Sequence, residues 1–294
     1  MALAKDQFFG LIKMGRPFVL VAGLIAYFVG LSMAYYELGT VDITKAIVGL
    51  IVLMTGTLMG HYADEYADVD TDSLTRRTLY SGGSGVLPSG IIPVNWAIYS
   101  AIFFFLITLI ISFLSIYYNI LPSIVIWIVL PALLGGLMYS MPPFSLERKG
   151  LGELDNAILG GFFMKLISYT AQTGMITINS ILSLIPIFLA VLVNLLGVHW
   201  SDRIADESVG KLTLVVKLVS KTRFLFYFLV FLTYFITILL MGRVLPNIVA
   251  IAILITLPFG IYCSYKFTKT SSPMISSVFM AVVMSSMIFS YIFG

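Results

Sequence analysis

Asp64-Glu65-Tyr66-Ala67-Asp68-Val69-Asp70-Thr71-Asp72 follows an apolar run that begins near residue 43. A second acidic stretch, Asp202-Arg203-Ile204-Ala205-Asp206-Glu207, follows another apolar run that begins near residue 178. Together the two hold eight of the 14 acidic residues in the chain. In both, the key aspartates are four residues apart, so on a helix they project from one face. Unpaired anions stacked in this way repel one another, and a hard cation with oxygen ligands relieves the repulsion. Acid at the ends of apolar segments points to divalent cations held against a phosphorylated ligand.

The surrounding sequence is that of a membrane protein. Of 294 residues, 60% are hydrophobic and 11% are charged, against about 25% charged in soluble domains. No polar stretch is long enough for a separate soluble domain, so residues 1–294 are read as one transmembrane domain. Its motif-bearing connections lie near 61–91 and 200–222. The single cysteine, Cys263, excludes disulfides and cysteine metal sites within one chain. A net charge of +3 gives no case for nucleic acid.

Apolar runs of about 20 residues predict nine spans, near 17–37, 43–61, 92–113, 120–140, 155–175, 178–199, 223–242, 246–264 and 274–293. The fold class is therefore an all-α, polytopic membrane helix bundle. Span two leads into the first carboxylate cluster and span six into the second, which predicts a four-helix pseudo-repeat with span nine added. His61 and His199 stand three residues before Asp64 and Asp202, an echo of the same duplication. With the N-terminus cytoplasmic, 14 of the 17 Lys and Arg residues fall inside, as the positive-inside rule requires. Both acidic clusters then open to the cytoplasm.

Other readings of the first cluster fit less well. Asp68-x-Asp70-x-Asp72 mimics the start of an EF-hand, but Ser73 occupies the glycine position and Leu79 that of the bidentate glutamate. A solvated acidic loop remains the bland alternative. The cations Arg76, Arg77, Arg148, Lys149 and Lys211 lie close in sequence to the clusters or in an adjoining inner connection, and can grip phosphate. Ser81-Gly82-Gly83-Ser84-Gly85 offers backbone N–H groups to an anion, but no Gly-Lys-Ser/Thr follows it as in a P-loop. Lys165, inside span five, requires a partner, either a bundle carboxylate or a ligand.

Taken together, these residues resemble the UbiA superfamily of intramembrane aromatic prenyltransferases. Asp64-x-x-x-Asp68-x-x-x-Asp72 matches its NxxxDxxxD signature, with Asp64 where the family usually has Asn. Asp202-x-x-x-Asp206, continuing into Gly210-Lys211-Leu212-Thr213-Leu214, matches the second signature. Tyr139-Ser140-Met141-Pro142-Pro143, Gly150-Leu151-Gly152-Glu153 and Gln172-Thr173-Gly174 fit as well. The SGGSG, GLGE and QTG segments look most like the menaquinone branch, which prenylates 1,4-dihydroxy-2-naphthoate.

The resemblance implies a Mg²⁺-dependent transfer of a polyprenyl group from its diphosphate to a small aromatic acceptor, in the lipid bilayer. It implies two Mg²⁺ ions held by Asp64, Asp68, Asp72, Asp202 and Asp206. Asp68, Asp202 and Tyr139 then stand nearest the chemistry. Arg76, Arg77, Lys149, Lys211 and Ser140 are expected on the diphosphate. The alternatives are a non-quinone acceptor, such as an archaeal glycerol lipid precursor, and, from another class, a secondary transporter.

Overall fold

The computed structural model describes residues 2–74, 82–267, 269–270 and 272–294; it is helical throughout, with no strand among the described residues. Helices α1 (Ala2–Met14) and α2 (Pro17–Leu38) meet at Arg16, whose left-handed backbone (φ 48°) turns the chain. Helix α3 (Ile43–Ala67) starts on the side chain of Asp42, which accepts from the Lys45 N–H at 3.1 Å. The short α4 (Val69–Leu74) carries on from it, and α5 (Asn95–Tyr117) returns across the bundle. A 3₁₀ turn leads into α6 (Ile126–Ser140), and another (Leu146–Lys149) leads into α7 (Gly152–Ile158). A π turn at Leu159–Phe163 joins α7 to α8 (Met164–Thr173). The remainder comprises α9 (Ile178–Leu182), α10 (Ile185–Ser208), α11 (Leu214–Lys217), α12 (Val219–Leu240), α13 (Asn247–Ile255), α14 (Leu257–Lys266) and α15 (Met274–Phe293).

Among the described residues, eight helical stretches are long and apolar enough to cross a membrane. The ninth expected span, near 155–175, is not among them. Its segment passes through the π turn and carries Asp155 and Lys165, with Glu153 just before it. It is placed by protein rather than lipid: every residue of α8 from Lys165 to Gln172 is buried, and α8 packs chiefly against α2. Lys165 is fully buried and its ammonium donates to the Gly160 carbonyl, so its partner is backbone of the π turn.

The two carboxylate-bearing helices occupy comparable positions, α3 packed along α5 and α10 along α12. Side chains such as Phe103, Ile110, Trp127 and Phe231 face outward, as a bilayer allows. At one end of the bundle the C-termini of α3, α6 and α10 meet the start of α7, with α4 and α11 between them. Two connections far apart in the sequence thereby share one opening.

Candidate active site

The closest link across this opening joins the two motifs directly. Lys211 Nζ lies 2.5 Å from Asp68 Oδ2 and 2.6 Å from Glu147 Oε2, and all three residues are buried. Burial works against the charge of Lys211, but Asp68 and Glu147 outweigh it and hold the ammonium well above its ordinary value. Burial pushes Glu147 well above the usual carboxylate range, and the charge of Asp68 adds to the effect while Lys211 opposes it. Arg148 adds a second cation, with Nη2 4.0 Å from Asp68 Oδ1 and bonded to the Ala67 carbonyl.

The first motif does not stay on one unbroken helix. Helix α3 ends at Ala67 and Asp68 occupies the turn before α4. The backbone ladder nevertheless persists, Asp68 N to Asp64 O at 2.9 Å and Asp72 N to Asp68 O at 2.8 Å, so the three aspartates keep their spacing. Arg16 clamps the motif from the α1–α2 turn, 2.8 Å from Asp64 Oδ2 and 2.7 Å from Glu65 Oε1. Glu65 is consumed in holding the glycine-rich loop: Ser84 donates to it through N–H (2.6 Å) and hydroxyl (2.5 Å). The Ser84 N–H expected on an external anion is therefore already bound to a protein carboxylate. Gly83 has φ +59°, and a Cβ there would stand 1.7 Å from Asp72 Oδ2. Only glycine lets that backbone pass so close. Asp72 is buried, and burial, with Arg16 opposing and the neighbouring acids adding, pushes its carboxyl up to about 8.

The second motif lies on the last turns of α10. Asp206 is buried, and Asp202 is half-buried and accepts from the Ser201 hydroxyl. The chain then turns so that Lys211 N–H donates to the Asp206 carbonyl at 2.8 Å, which aims the lysine at the first motif. Lys217 ties α11 to the Leu146–Lys149 turn through the Lys149 carbonyl (2.5 Å).

From this acidic rim a cavity of about 320 Å³ runs inward between α2, α3, α6, α10 and α15. Arg16, His61 and Asp64 stand at its polar end; Ala26, Val52, Leu133 and Met284 line it further in. Tyr139 and His199 also line it, with Tyr139 Oη 3.5 Å from His199 Nε2. His199 Nδ1 lies 2.8 Å from Oε1 of the fully buried Glu153. An anion-handling rim opening into an apolar chamber suits a ligand with a charged head and a hydrocarbon tail.

Other expected site residues fall elsewhere. Lys149 is exposed and donates to the Pro143 carbonyl at 3.1 Å; its neighbour Arg148 takes the place beside Asp68. Ser140 is buried, its hydroxyl without a hydrogen-bond partner among the described residues, and it does not line the cavity. Arg76, Arg77 and Ser81 lie outside the described residues.

A family model described as the UbiA prenyltransferase family matches residues 23–288. The chain belongs to this family. No curated protein sequence matches it, but solved structures do. A UbiA homolog from Archaeoglobus fulgidus bound to GPP and Mg²⁺ shares 17% identity with a TM-score of 0.72, over 96% of this chain and 99% of that one. Digeranylgeranylglyceryl phosphate synthase shares 18% identity with a TM-score of 0.67, over 99% of each chain. A UbiA homolog from Aeropyrum pernix K1 shares 14% identity with a TM-score of 0.68, over 92% of this chain and 96% of that one. The helical membrane architecture of this UbiA family member is thus that of its solved relatives.

The acid rim has the donors a hard divalent cation needs. Asp64, Asp68 and Glu147 each bring a carboxylate oxygen within 4.8 Å of the others. Asp64 Oδ1, Asp68 Oδ1 and Glu147 Oε1 are buried without hydrogen-bond partners among the described residues. Glu147 stands alone before Arg148 and Lys149, outside any acidic spacing, so nothing in the sequence singles it out. Arg16 carries no signal in the sequence beyond that of one more positive charge near an apolar segment. The GLGE match hints at Glu153 and the His61/His199 echo at His199.

Proposed function

We propose that this UbiA family prenyltransferase transfers a polyprenyl group from a polyprenyl diphosphate to a small aromatic acceptor with release of diphosphate, in quinone biosynthesis of the menaquinone type. The observation that carries the reading is the acidic group of Asp64, Asp68 and Glu147, neutralised by Lys211, of which Asp64 lines an apolar cavity. The SGGSG, GLGE and QTG segments favour the naphthoate acceptor. Similarity to digeranylgeranylglyceryl phosphate synthase over 99% of both chains favours a second acceptor, a prenylated glycerol phosphate. Family membership removes the transporter alternative.

Asp64, Asp68, Asp72 and Glu147 from one side, and Asp202 and Asp206 from the other, are the residues that would hold two Mg²⁺ ions. Bound there, the metal supplies positive charge to the diphosphate and steadies it as a leaving group. Lys211 and Arg148 offer cations to the same phosphate oxygens, with Arg76 and Arg77 next along the chain. Lys211 neutralises Asp68 and Glu147, and would be available to phosphate where a bound cation took over that role. Leu133, Val52 and Met284 take the hydrocarbon and exclude water, which would otherwise trap the allylic cation as an alcohol. The distribution of Lys and Arg favours a rim that faces the cytoplasm.

The test is purified protein in lipid nanodiscs with Mg²⁺ and labelled geranylgeranyl diphosphate, offered 1,4-dihydroxy-2-naphthoate or geranylgeranylglyceryl phosphate in parallel. Labelled prenyl-naphthoate with matching diphosphate release is the expected result. Product from the glycerol lipid alone moves the enzyme to the second acceptor, and neither product nor diphosphate overturns the transferase reading.

A further inference from the structure

The cavity wall carries a buried ionisable pair that binding a diphosphate does not require. Glu153 is fully buried at the start of α7 and His199 is buried on α10, with Nδ1 2.8 Å from Glu153 Oε1. Val215 N–H approaches the same oxygen at 3.4 Å. A close approach fixes the glutamate: Gly152, the preceding residue, lies where a Cβ would stand 2.6 Å from Glu147 Cα. Ionised Glu153 can only accept, so the proton of the pair sits on His199 Nδ1, and it is in the neutral imidazole that Nε2 carries a lone pair. Nε2 points toward Tyr139 Oη at 3.5 Å, and both residues line the cavity whose mouth carries Asp64 and Arg16. That separation is long for a direct hydrogen bond, but it leaves a position about 2.8–3.0 Å from both atoms for a third oxygen. An ionisable pair fully buried beside a cavity is a functional candidate, since an apolar pair of similar size would pack there without loss.

We propose that Tyr139, His199 and Glu153 form the subsite for a hydroxyl-bearing acceptor, with His199 Nε2 taking the hydroxyl proton as the prenyl group is transferred. The inference rests on the transferase reading above and adds the acceptor's position and its base. The C1–O bond of the prenyl diphosphate breaks and its electron pair leaves with diphosphate. The acceptor O–H proton passes to Nε2, and the freed pair forms the bond to C1 from the oxygen itself or, through the ring, from a carbon. In the second case the resulting ketone regains its aromatic ring as that carbon loses its proton, or its carboxyl group as CO₂, and the oxygen is reprotonated. Glu153 balances the imidazolium that results, and Tyr139 donates to the acceptor oxygen and orients it. The acceptor class is accordingly phenolic or alcoholic, and an acceptor with its hydroxyl methylated is not a substrate.

The experiment measures prenyl transfer from geranylgeranyl diphosphate to 1,4-dihydroxy-2-naphthoate and to geranylgeranylglyceryl phosphate by wild type, His199→Gln, His199→Ala and Glu153→Gln/His199→Gln. Diphosphate-substrate binding is measured on the same samples. His199→Gln is expected to lower kcat at least about 100-fold, the usual scale of general-base removal. The Kd of geranylgeranyl diphosphate stays within about threefold of wild type. Added imidazole is expected to restore transfer by His199→Ala, which a purely structural contact would not allow. If His199→Gln does not fold, the double variant, which removes both charges at constant volume, carries the same expectation. An active wild type with undiminished His199→Gln turnover, parallel loss of substrate binding, or no imidazole rescue overturns the subsite. A wild type that prenylates neither acceptor overturns the transferase reading itself, and the two failures are distinct because the second silences the unmutated enzyme.

Discussion

Asp68 and Lys211, 143 residues apart in the chain, stand 2.5 Å from one another beside Asp64, which lines the cavity. That contact brings the two carboxylate motifs to one place, with Glu147 from a third connection completing the group. Each partner is buried, so neither charge is screened by water.

Removing the lysine leaves Asp68 and Glu147 facing each other without a counter-ion. Lys211→Met is expected to destabilise the metal-free protein by about 3–5 kcal/mol, as for other broken buried pairs. Added Mg²⁺ is expected to recover part of the loss. Thermal unfolding in detergent with and without Mg²⁺ checks both, and a variant as stable as wild type without metal would refute the pairing.

Glu147→Gln keeps the shape of the side chain and removes a negative oxygen from the cluster. The expected outcome is Mg²⁺ affinity lowered about 10- to 100-fold, the scale of a lost metal-supporting group. Calorimetric titration with Mg²⁺ measures it. Unchanged affinity would place the ion away from Glu147.

The pH dependence follows from Asp72, whose burial raises its carboxyl to about 8. A carboxyl raised on folding disfavours the folded state once it must ionise, so the metal-free protein loses stability as pH rises from about 4 to about 8. A bound cation removes that penalty. The Tm gain from Mg²⁺ is therefore expected to be larger at pH 8.5 than at pH 6, and an equal gain at both would show that Asp72 is not in the site.

Gly83 is held by φ +59° and by the Asp72 carboxylate against its Cα. Gly83→Ala is expected to destabilise by at least about 1–2 kcal/mol from the backbone alone, and to displace Asp72. Reduced Mg²⁺ affinity in a folded variant checks the second effect, and wild-type affinity would show the loop to be a spectator.

Much of the architecture was legible because its causes are local. Apolar length predicts the spans, and four-residue spacing places Asp64 with Asp68 and Asp202 with Asp206 without any tertiary information. The segment from Gly152 to Thr173 is helical throughout but less apolar than the other spans, because its polar residues are met inside the protein: Lys165 by the Gly160 carbonyl and Glu153 by His199. Glu147 and Arg16 carry no spacing signal; they become site residues only when the helix ends converge. Lys149 and Arg148 are adjacent in sequence and equal in charge, and only the geometry of the 3₁₀ turn selects Arg148 for Asp68. Gln172, part of a family-like segment, proved to clamp the Asp42 backbone through bonds of 2.8 and 3.0 Å.

The most direct measurement is Mg²⁺-dependent diphosphate release from geranylgeranyl diphosphate in the presence of acceptor by Asp68→Ala, Asp202→Ala and the double variant. If the two motifs form one site, each single change removes nearly all turnover and the double change adds little more, as for groups that act as a unit. Full turnover by either single variant would contradict a shared site.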